Sequence, residues 1–129
     1  MITNELNSVA EFHNAFRIAM TDKLTIDLPP DIIKLRFNLM KEENEEYLEA
    51  AENNDMIEVA DALGDMLYIL CGTILTHGMQ HKIQEVFEEI QRSNMSKLGE
   101  DGQPIYREDG KVLKGPNYFK PNIKDIIEK

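Results

Sequence analysis

Ten carboxylates fall within the 24 residues from Glu42 to Asp65, namely Glu42, Glu43, Glu45, Glu46, Glu49, Glu52, Asp55, Glu58, Asp61 and Asp65, and no lysine or arginine stands among them. The rest of the 129-residue chain carries 14 acids and 14 bases, so the whole formal charge of -10 resides in this window. Concentrated acid of this kind argues against a nucleic-acid surface and for a local site that attracts cations. What the acids can do depends on whether they point outward, where each is simply solvated, or inward, where they must share space.

Helical geometry separates them. At about 100° per residue, the apolar residues Ile32, Ile33, Leu35, Leu39, Met40, Ala50 and Ala51 mark one face of a helix over about 31–52. Glu43 and Glu46 fall inside that face, Glu42 on its border, and Glu45, Glu49 and Glu52 on the opposite side. On a following helix, 56–77, apolar residues cover most of the circumference, which predicts a central, buried helix. Its acids Glu58, Asp61 and Asp65 share one narrow stripe that continues through Tyr68 and Gly72. The turn signal Asn53-Asn54-Asp55 between the two is short, so the helices should pack antiparallel with their inward acids meeting.

Four or five carboxylates in a partly dry interior cost several kcal/mol per uncompensated charge. Protons, a distant base such as Arg36 or a lysine of the tail, or hard divalent cations could supply the balance. An all-oxygen donor set selects Mg²⁺ or Mn²⁺; Ca²⁺ fits less well because no calcium-loop motif is present. None of His13, His77 or His81 follows a glutamate by three, which weakens a di-iron reading. No His-Glu-x-x-His or cysteine pair offers a zinc site, and no Gly-Lys-Ser/Thr ending makes a phosphate-binding loop.

The elements that must position these acids are helical. A first helix over about 4–20 shows the stripe Leu6, Val9, Phe12, Ala15, Phe16. Pro29-Pro30-Asp31 starts the second, Asp55 caps the third, Gly78 ends it, and a fourth runs over about 79–93. Asp55-x-x-Glu58 also reads as a capping box, a structural use for Glu58. From about 95 the sequence turns Gly- and Pro-containing. Pro104 to Leu113, centred on Asp109-Gly110, reads as a small hairpin or extended arm, and Asn122 as the cap of a last short helix. The expectation is one all-α domain over 1–129, with a four-helix bundle core over about 4–94 and a C-terminal arm.

Composition sets the outer bounds. With 42% hydrophobic and 29% charged residues, the chain reads as one globular domain. The single Cys71 cannot close an intramolecular disulfide, so a reducing compartment fits. The first fifteen residues include Glu5 and Glu11 and lack a basic start followed by an apolar run, which leads us to expect a cytoplasmic protein. The longest largely apolar stretch, Met66 to Leu75, is about half of the roughly twenty residues a bilayer requires, so no membrane span is expected.

These residues resemble a known superfamily. Glu42-Glu43-Asn44-Glu45-Glu46 matches Glu-Glu-x-x-Glu and Glu58-Val59-Ala60-Asp61 matches Glu-x-x-Asp, the paired signature of the all-α nucleoside triphosphate pyrophosphohydrolases, which include MazG, the dimeric dUTPases and phosphoribosyl-ATP pyrophosphohydrolase. The eleven residues between Glu46 and Glu58 sit at or just below the short end of the usual spacing. Phe12-His13-x-x-Phe16, Ser93 to Leu98, Asp109 to Gly115 and Tyr118 look like the branch of MazG-like proteins similar to phosphoribosyl-ATP pyrophosphohydrolase. The resemblance implies a MazG-like four-helix core and Mg²⁺-dependent cleavage between the α- and β-phosphates of a nucleoside triphosphate, in nucleotide-pool house-cleaning. It implies Glu43, Glu46, Glu58 and Asp61 as metal ligands and Glu42 as the group that orients or deprotonates water; Asp65, one turn from Asp61, is by position either a further ligand or a residue that supports the ligands from behind. It also implies a homodimer or homotetramer.

Asn94, Lys97, Lys111 and Lys114, with Tyr118, are candidates to bind the triphosphate, and Phe12, His13 and Phe16 to approach the base. No nucleic-acid polymer is expected as a partner. The alternatives from other classes are a non-catalytic divalent-cation or nucleotide-binding helical regulator, and a structural helical dimer whose acids pair across chains.

Overall fold

A computed structural model describes residues 2–129. The described residues form an all-α protein of five helices, α1 (Thr3–Phe16), α2 (Pro30–Glu52), α3 (Met56–Thr76), α4 (Ile83–Met95) and α5 (Ile123–Glu128). They divide into two compact units, one ending at His81 and one spanning Lys82–Lys129.

In the first unit α3 packs along both α2 and α1. The α2–α3 turn follows from its residues. Asn54 takes a left-handed conformation (φ 56°), and the amides of Asn54 and Asp55 donate back to the Ala51 and Ala50 carbonyls, satisfying the last turn of α2. Asp55 then caps α3, its Oδ1 accepting from the Glu58 amide at 3.1 Å, as a capping residue should. The far end of α3 closes on Gly78 (φ 66°), with Gly78 N–H to Leu75 O at 3.1 Å and Met79 N–H to Ile74 O at 2.9 Å, the double closure that favours glycine at this place.

Three helix boundaries differ from expectation. α1 stops at Phe16 rather than near residue 20 because Arg17 turns left-handed (φ 58°). Residues 18–25 instead run against the C-terminal end of α3, where Thr21 N–H donates to Leu75 O (3.2 Å) and Thr25 N–H to His77 O (3.0 Å), while Thr76 Oγ1 donates to Ala19 O (2.8 Å). These partners replace the helical bonds the segment gives up. α4 starts at Ile83, not Met79, since the chain is still in turns after Gly78, and it continues to Met95.

The burial of α3 also differs. Its enclosed residues lie mostly toward the C-terminal end, Cys71, Gly72, Ile74, Leu75 and Thr76, with Ala62 the one buried before them; Leu6 and Val9 on α1 are buried as well. Much of the helix before Cys71 is nonetheless open, with Met56 and Ile57 78% and 79% exposed and Leu63, Leu67 and Leu70 also exposed. On α2, Leu35 and Ile33 are exposed as well, although the wheel turned them inward. The expectation of a wholly buried central helix therefore fails within one chain. By length and composition α3 is also the one described helix apolar enough to cross a membrane, which corrects the ten-residue estimate; it nonetheless carries Asp61 and Asp65 and packs on two helices.

The second unit joins α4 to α5. The hairpin expected around Asp109-Gly110 is present as one antiparallel bridge, Tyr106 to Val112, with Leu113 N–H to Ile105 O at 2.8 Å. The arm is stitched to α4: buried Ser93 donates its hydroxyl to Phe119 O (2.8 Å), Ser96 Oγ accepts from the Phe119 amide (3.2 Å), and Gly115 N–H reaches Lys97 O (2.8 Å). Asn122 caps α5 by accepting from Asp125 N–H (3.4 Å).

Gly78 offers a direct test, because a Cβ there would run into the Lys23 carbonyl in addition to carrying a positive φ. Gly78→Ala should cost about 1–3 kcal/mol, a fall in Tm of roughly 5–10 °C by differential scanning calorimetry; an unchanged Tm would show that the α3 terminus is not closed in this way.

Candidate metal centre

The acids that meet are those the two helices place on facing surfaces. One carboxylate oxygen each from Glu43 and Glu46 on α2 and Asp65 on α3 lie within 4.8 Å of one another. Glu43 is half-buried and Glu46 exposed. Glu43 and Glu46 are separated by three residues, one turn of helix, and so stack on one side of α2. Among the described residues no lysine, arginine or histidine forms an ion pair with any of the three; the one ion pair on α2 joins Lys41 to Glu45 on the solvent side at 3.9 Å.

The electrostatics follow from that geometry. Burial, then the adjoining Glu46, with which the protonated form hydrogen-bonds, and then the charges of Asp65 and Asp61 push the Glu43 carboxyl up to about 7. Burial and the Asp61 and Glu46 charges push Asp65 up as well. Glu43 Oε2 is buried and has no hydrogen-bond partner. A lone pair hidden from water and unused by the protein is costly, and a cation among the three oxygens would satisfy it. The donor set, all carboxylate oxygen, is the set hard divalent cations take, so the residues present could bind a metal.

The remaining acids are arranged around this triad. Asp61, one turn before Asp65, acts on both Glu43 and Asp65 through its charge without belonging to the tight group. Glu58 is also outside it. Glu58 is exposed, its amide serves the Asp55 cap, and with Glu46, Glu49, Ala50, Asn53 and Asp55 it lines a cleft of about 230 Å³ beside the helix turn. Glu42 is exposed on α2, next in sequence to Glu43. Arg36, a potential counter-ion by sequence, is engaged elsewhere: its Nε donates to Thr73 Oγ1 (3.1 Å) and its Nη2 to Ile69 O (2.9 Å).

Of the aromatic candidates, Phe12 and Phe16 are exposed and stack at 4.5 Å between centroids. Phe12 also meets Tyr68 edge-on at 5.5 Å, and Tyr68 lies three residues past Asp65 on α3. Tyr68 joins them only in the structure; its place on the acidic stripe was the sequence signal. His13 is only 2% exposed. Burial, then the nearby Arg36 charge, hold its imidazole below the ordinary value, against the Ala19 carbonyl, which raises it; it is a buried neutral side chain on the α3 side of α1. In the second unit, Asn94 and Lys97 line a cleft of about 370 Å³ with Met95, Leu98, Pro104 and Val112. Lys111 and Lys114 are exposed, and the Lys114 ammonium stands 4.7 Å over the Tyr118 ring.

Comparison with known proteins agrees with the acidic signature. A family model described as phosphoribosyl-ATP pyrophosphohydrolase matches residues 9–94, two thirds of the chain and the whole of α2 and α3, the two helices that carry the triad. The chain belongs to the phosphoribosyl-ATP pyrophosphohydrolase family, within the all-α superfamily its motifs resemble. It is 32% identical over 100 residues to an uncharacterized protein of Acanthamoeba polyphaga mimivirus, matching 78% of this chain and 36% of that relative; it thus spans about a third of the relative's length. A crystal structure of a provisionally assigned NTP pyrophosphohydrolase from Exiguobacterium sp. 255-15 shares 26% identity over 94% of this chain and 90% of that one, at a TM-score of 0.49.

The raised Glu43 carboxyl makes a signed prediction. A carboxyl that ionises near 7 in the folded chain and near its ordinary value when unfolded binds its proton more tightly when folded, so its contribution falls as pH rises between those two values. In EDTA, Tm should decline from pH 5 to pH 8, and Glu43→Gln should flatten that decline. An equally steep decline in the variant would remove Glu43 as its cause.

Proposed function

We propose that this chain is a divalent-cation-dependent nucleoside triphosphate pyrophosphohydrolase that cleaves between the α- and β-phosphates, serving to clear or balance nucleotide pools. The observation that carries the reading is the convergence of one carboxylate oxygen each from Glu43, Glu46 and Asp65, together with the buried Glu43 Oε2 that has no hydrogen-bond partner among the described residues. Family membership over residues 9–94 supports the reaction class.

In this reading Glu43, Glu46 and Asp65 would hold Mg²⁺ or Mn²⁺, with Asp61 and Glu58 the nearby acids that could add further oxygen ligands. The cation neutralises phosphate charge and the charge that develops in the transition state. Glu42, exposed beside Glu43, takes a proton from the attacking water. That water bonds to the α-phosphorus, the bond from the α-phosphorus to the bridging oxygen breaks, and pyrophosphate leaves with the electron pair, giving a nucleoside monophosphate. Phe12, Phe16 and Tyr68 form an exposed aromatic shelf suited to a nucleobase face. His13, being buried, acts behind this shelf rather than on it. Asn94, Lys97, Lys111 and Lys114, with Tyr118, carry donors and positive charge suited to phosphate oxygens. The reading takes the protein as cytoplasmic, with no membrane and no nucleic-acid polymer as partner.

Pyrophosphate release from a panel of canonical and modified nucleoside triphosphates and phosphoribosyl-ATP, with Mg²⁺, Mn²⁺ or EDTA, tests the reaction. Wild-type turnover should require metal, and Glu43→Gln should lower kcat at least about a hundredfold, near 2.7 kcal/mol of transition-state stabilisation. Retention of full activity in the variant would remove Glu43 from the machinery. Metal-dependent stabilisation with no product from any substrate would favour the non-catalytic regulator.

We further propose that the chain works as a homodimer or homotetramer. Met56, Ile57, Leu63, Leu67 and Leu70 leave apolar surface of α3 open along residues 56–70, a surface of the kind that marks protein association. Light scattering should give a mass of two or four chains, shifted toward one by Leu63→Glu; a monomeric wild type would overturn this assembly.

A further inference from the structure

We propose that Arg36 is a positioning residue for the carboxylate triad: clamped to one turn of α3, its guanidinium fixes the register at which the α2 acids meet Asp65. The inference rests on the reading of Glu43, Glu46 and Asp65 as a metal centre.

Arg36 is 8% exposed and is a buried cation with no carboxylate partner; its acceptors are neutral, Thr73 Oγ1 at 3.1 Å and Ile69 O at 2.9 Å. The same Ile69 carbonyl accepts from Thr73 Oγ1 at 2.9 Å, so three residues share one knot. Burying a cation this way is a poor route to stability, because an apolar side chain of similar volume does as well or better. What a guanidinium adds is direction: its planar fork engages two acceptors in one orientation, which neither a lysine nor an apolar chain reproduces.

The direction matters because of where the knot lies. Ile69 follows Asp65 by four residues, so anchor and acid share one face of α3. Arg36 precedes Glu43 by seven residues, two turns and about 10 Å along the same face of α2. A slip of one residue between the helices would rotate the α2 face by about 100° and bring Glu42 or Asn44 toward the place of Glu43. The socket is also shaped for the guanidinium. Gly72 has no Cβ where one would stand 2.5 Å from Arg36 Nη2 and 2.7 Å from His13 Nε2, and His13, buried on the third side, stays neutral beside it.

Charge and alignment make opposite predictions. Removing a cation from the neighbourhood of an acidic site would tighten the binding of another cation, whereas losing register would weaken it. Titration of the full chain with Mn²⁺, following free Mn²⁺ by electron paramagnetic resonance, separates the two. Arg36→Met should retain its helical circular dichroism and a cooperative melt yet bind Mn²⁺ at least about tenfold more weakly. Arg36→Lys, which keeps the charge but not the fork, should fail to restore binding, and Gly72→Ala, whose Cβ would displace the guanidinium, should weaken it without altering any acid. Mn²⁺ affinity in folded Arg36→Met equal to or tighter than wild type overturns the proposal; if that variant does not fold, wild-type affinity in both Arg36→Lys and Gly72→Ala overturns it instead. Glu43→Gln distinguishes the two layers. Wild-type binding lost in Glu43→Gln but kept in the Arg36 and Gly72 variants defeats only the positioning role, whereas no Mn²⁺ binding by wild type defeats the metal centre and the inference together.

Discussion

Mutual repulsion among Glu43, Glu46 and Asp65 is the constraint to which the rest of the first unit answers. Carboxylate oxygens of the three lie within 4.8 Å of one another with no base paired to them among the described residues, so once Glu43 loses its proton, near 7, their charges press the helices that carry them apart. The force that holds those helices together is supplied elsewhere. It comes from the C-terminal half of α3, where Cys71, Ile74 and Leu75 pack with Leu6 and Val9, from the Arg36 knot at Ile69 and Thr73, and from the segment after Arg17, tied to the end of α3 by backbone bonds. Along α3 most of the core lies toward one end and the acids toward the other, with Ala62 the buried residue among the acids, so packing at one end can offset repulsion at the other.

That segregation explains why the acidic window contains no lysine or arginine. An internal counter-ion would relieve the repulsion permanently and leave no deficit for a bound cation to fill. The charge that does pair on α2, Lys41 with Glu45, is on the solvent side, with both side chains well exposed, where it contributes little. Across the chain the same division appears: the second unit has nine acids and nine bases, and the entire excess of -10 belongs to the first.

Features governed by local chemistry were legible in the sequence. Asp55 and Asn122 cap helices, Gly78 closes α3 with a positive φ, and Asp109-Gly110 turns the arm, because each needs only its neighbours. The wheel turned Glu43 and Glu46 inward, and the structure brings both to Asp65. Features that depend on distant partners were not legible. The end of α1 depends on what Thr21 and Thr25 find at the end of α3. Arg36 lies within the apolar arc of α2, yet nothing in the sequence says that its acceptors will be a carbonyl and a hydroxyl rather than a carboxylate. The breadth of the apolar surface on α3 predicts a buried helix, yet much of that surface is open within one chain, because periodicity does not say what covers an apolar face.

The arrangement also constrains how a pyrophosphohydrolase of this type would discriminate among nucleotides. Every nucleoside triphosphate presents the same phosphates, so a carboxylate centre that acts on them is indifferent to the base; selectivity must come from groups outside it. The shelf of Phe12, Phe16 and Tyr68 has the right properties for that part: exposed aromatic faces, carried on α1 and α3 rather than α2, with Tyr68 one turn past Asp65. Because only Tyr68 shares a helix with a triad acid, the shelf can change without disturbing the α2 register that Arg36 sets. A fold divided in this way allows the shelf to be altered by substitution while the acids, and the helix pairing that brings them together, keep their places.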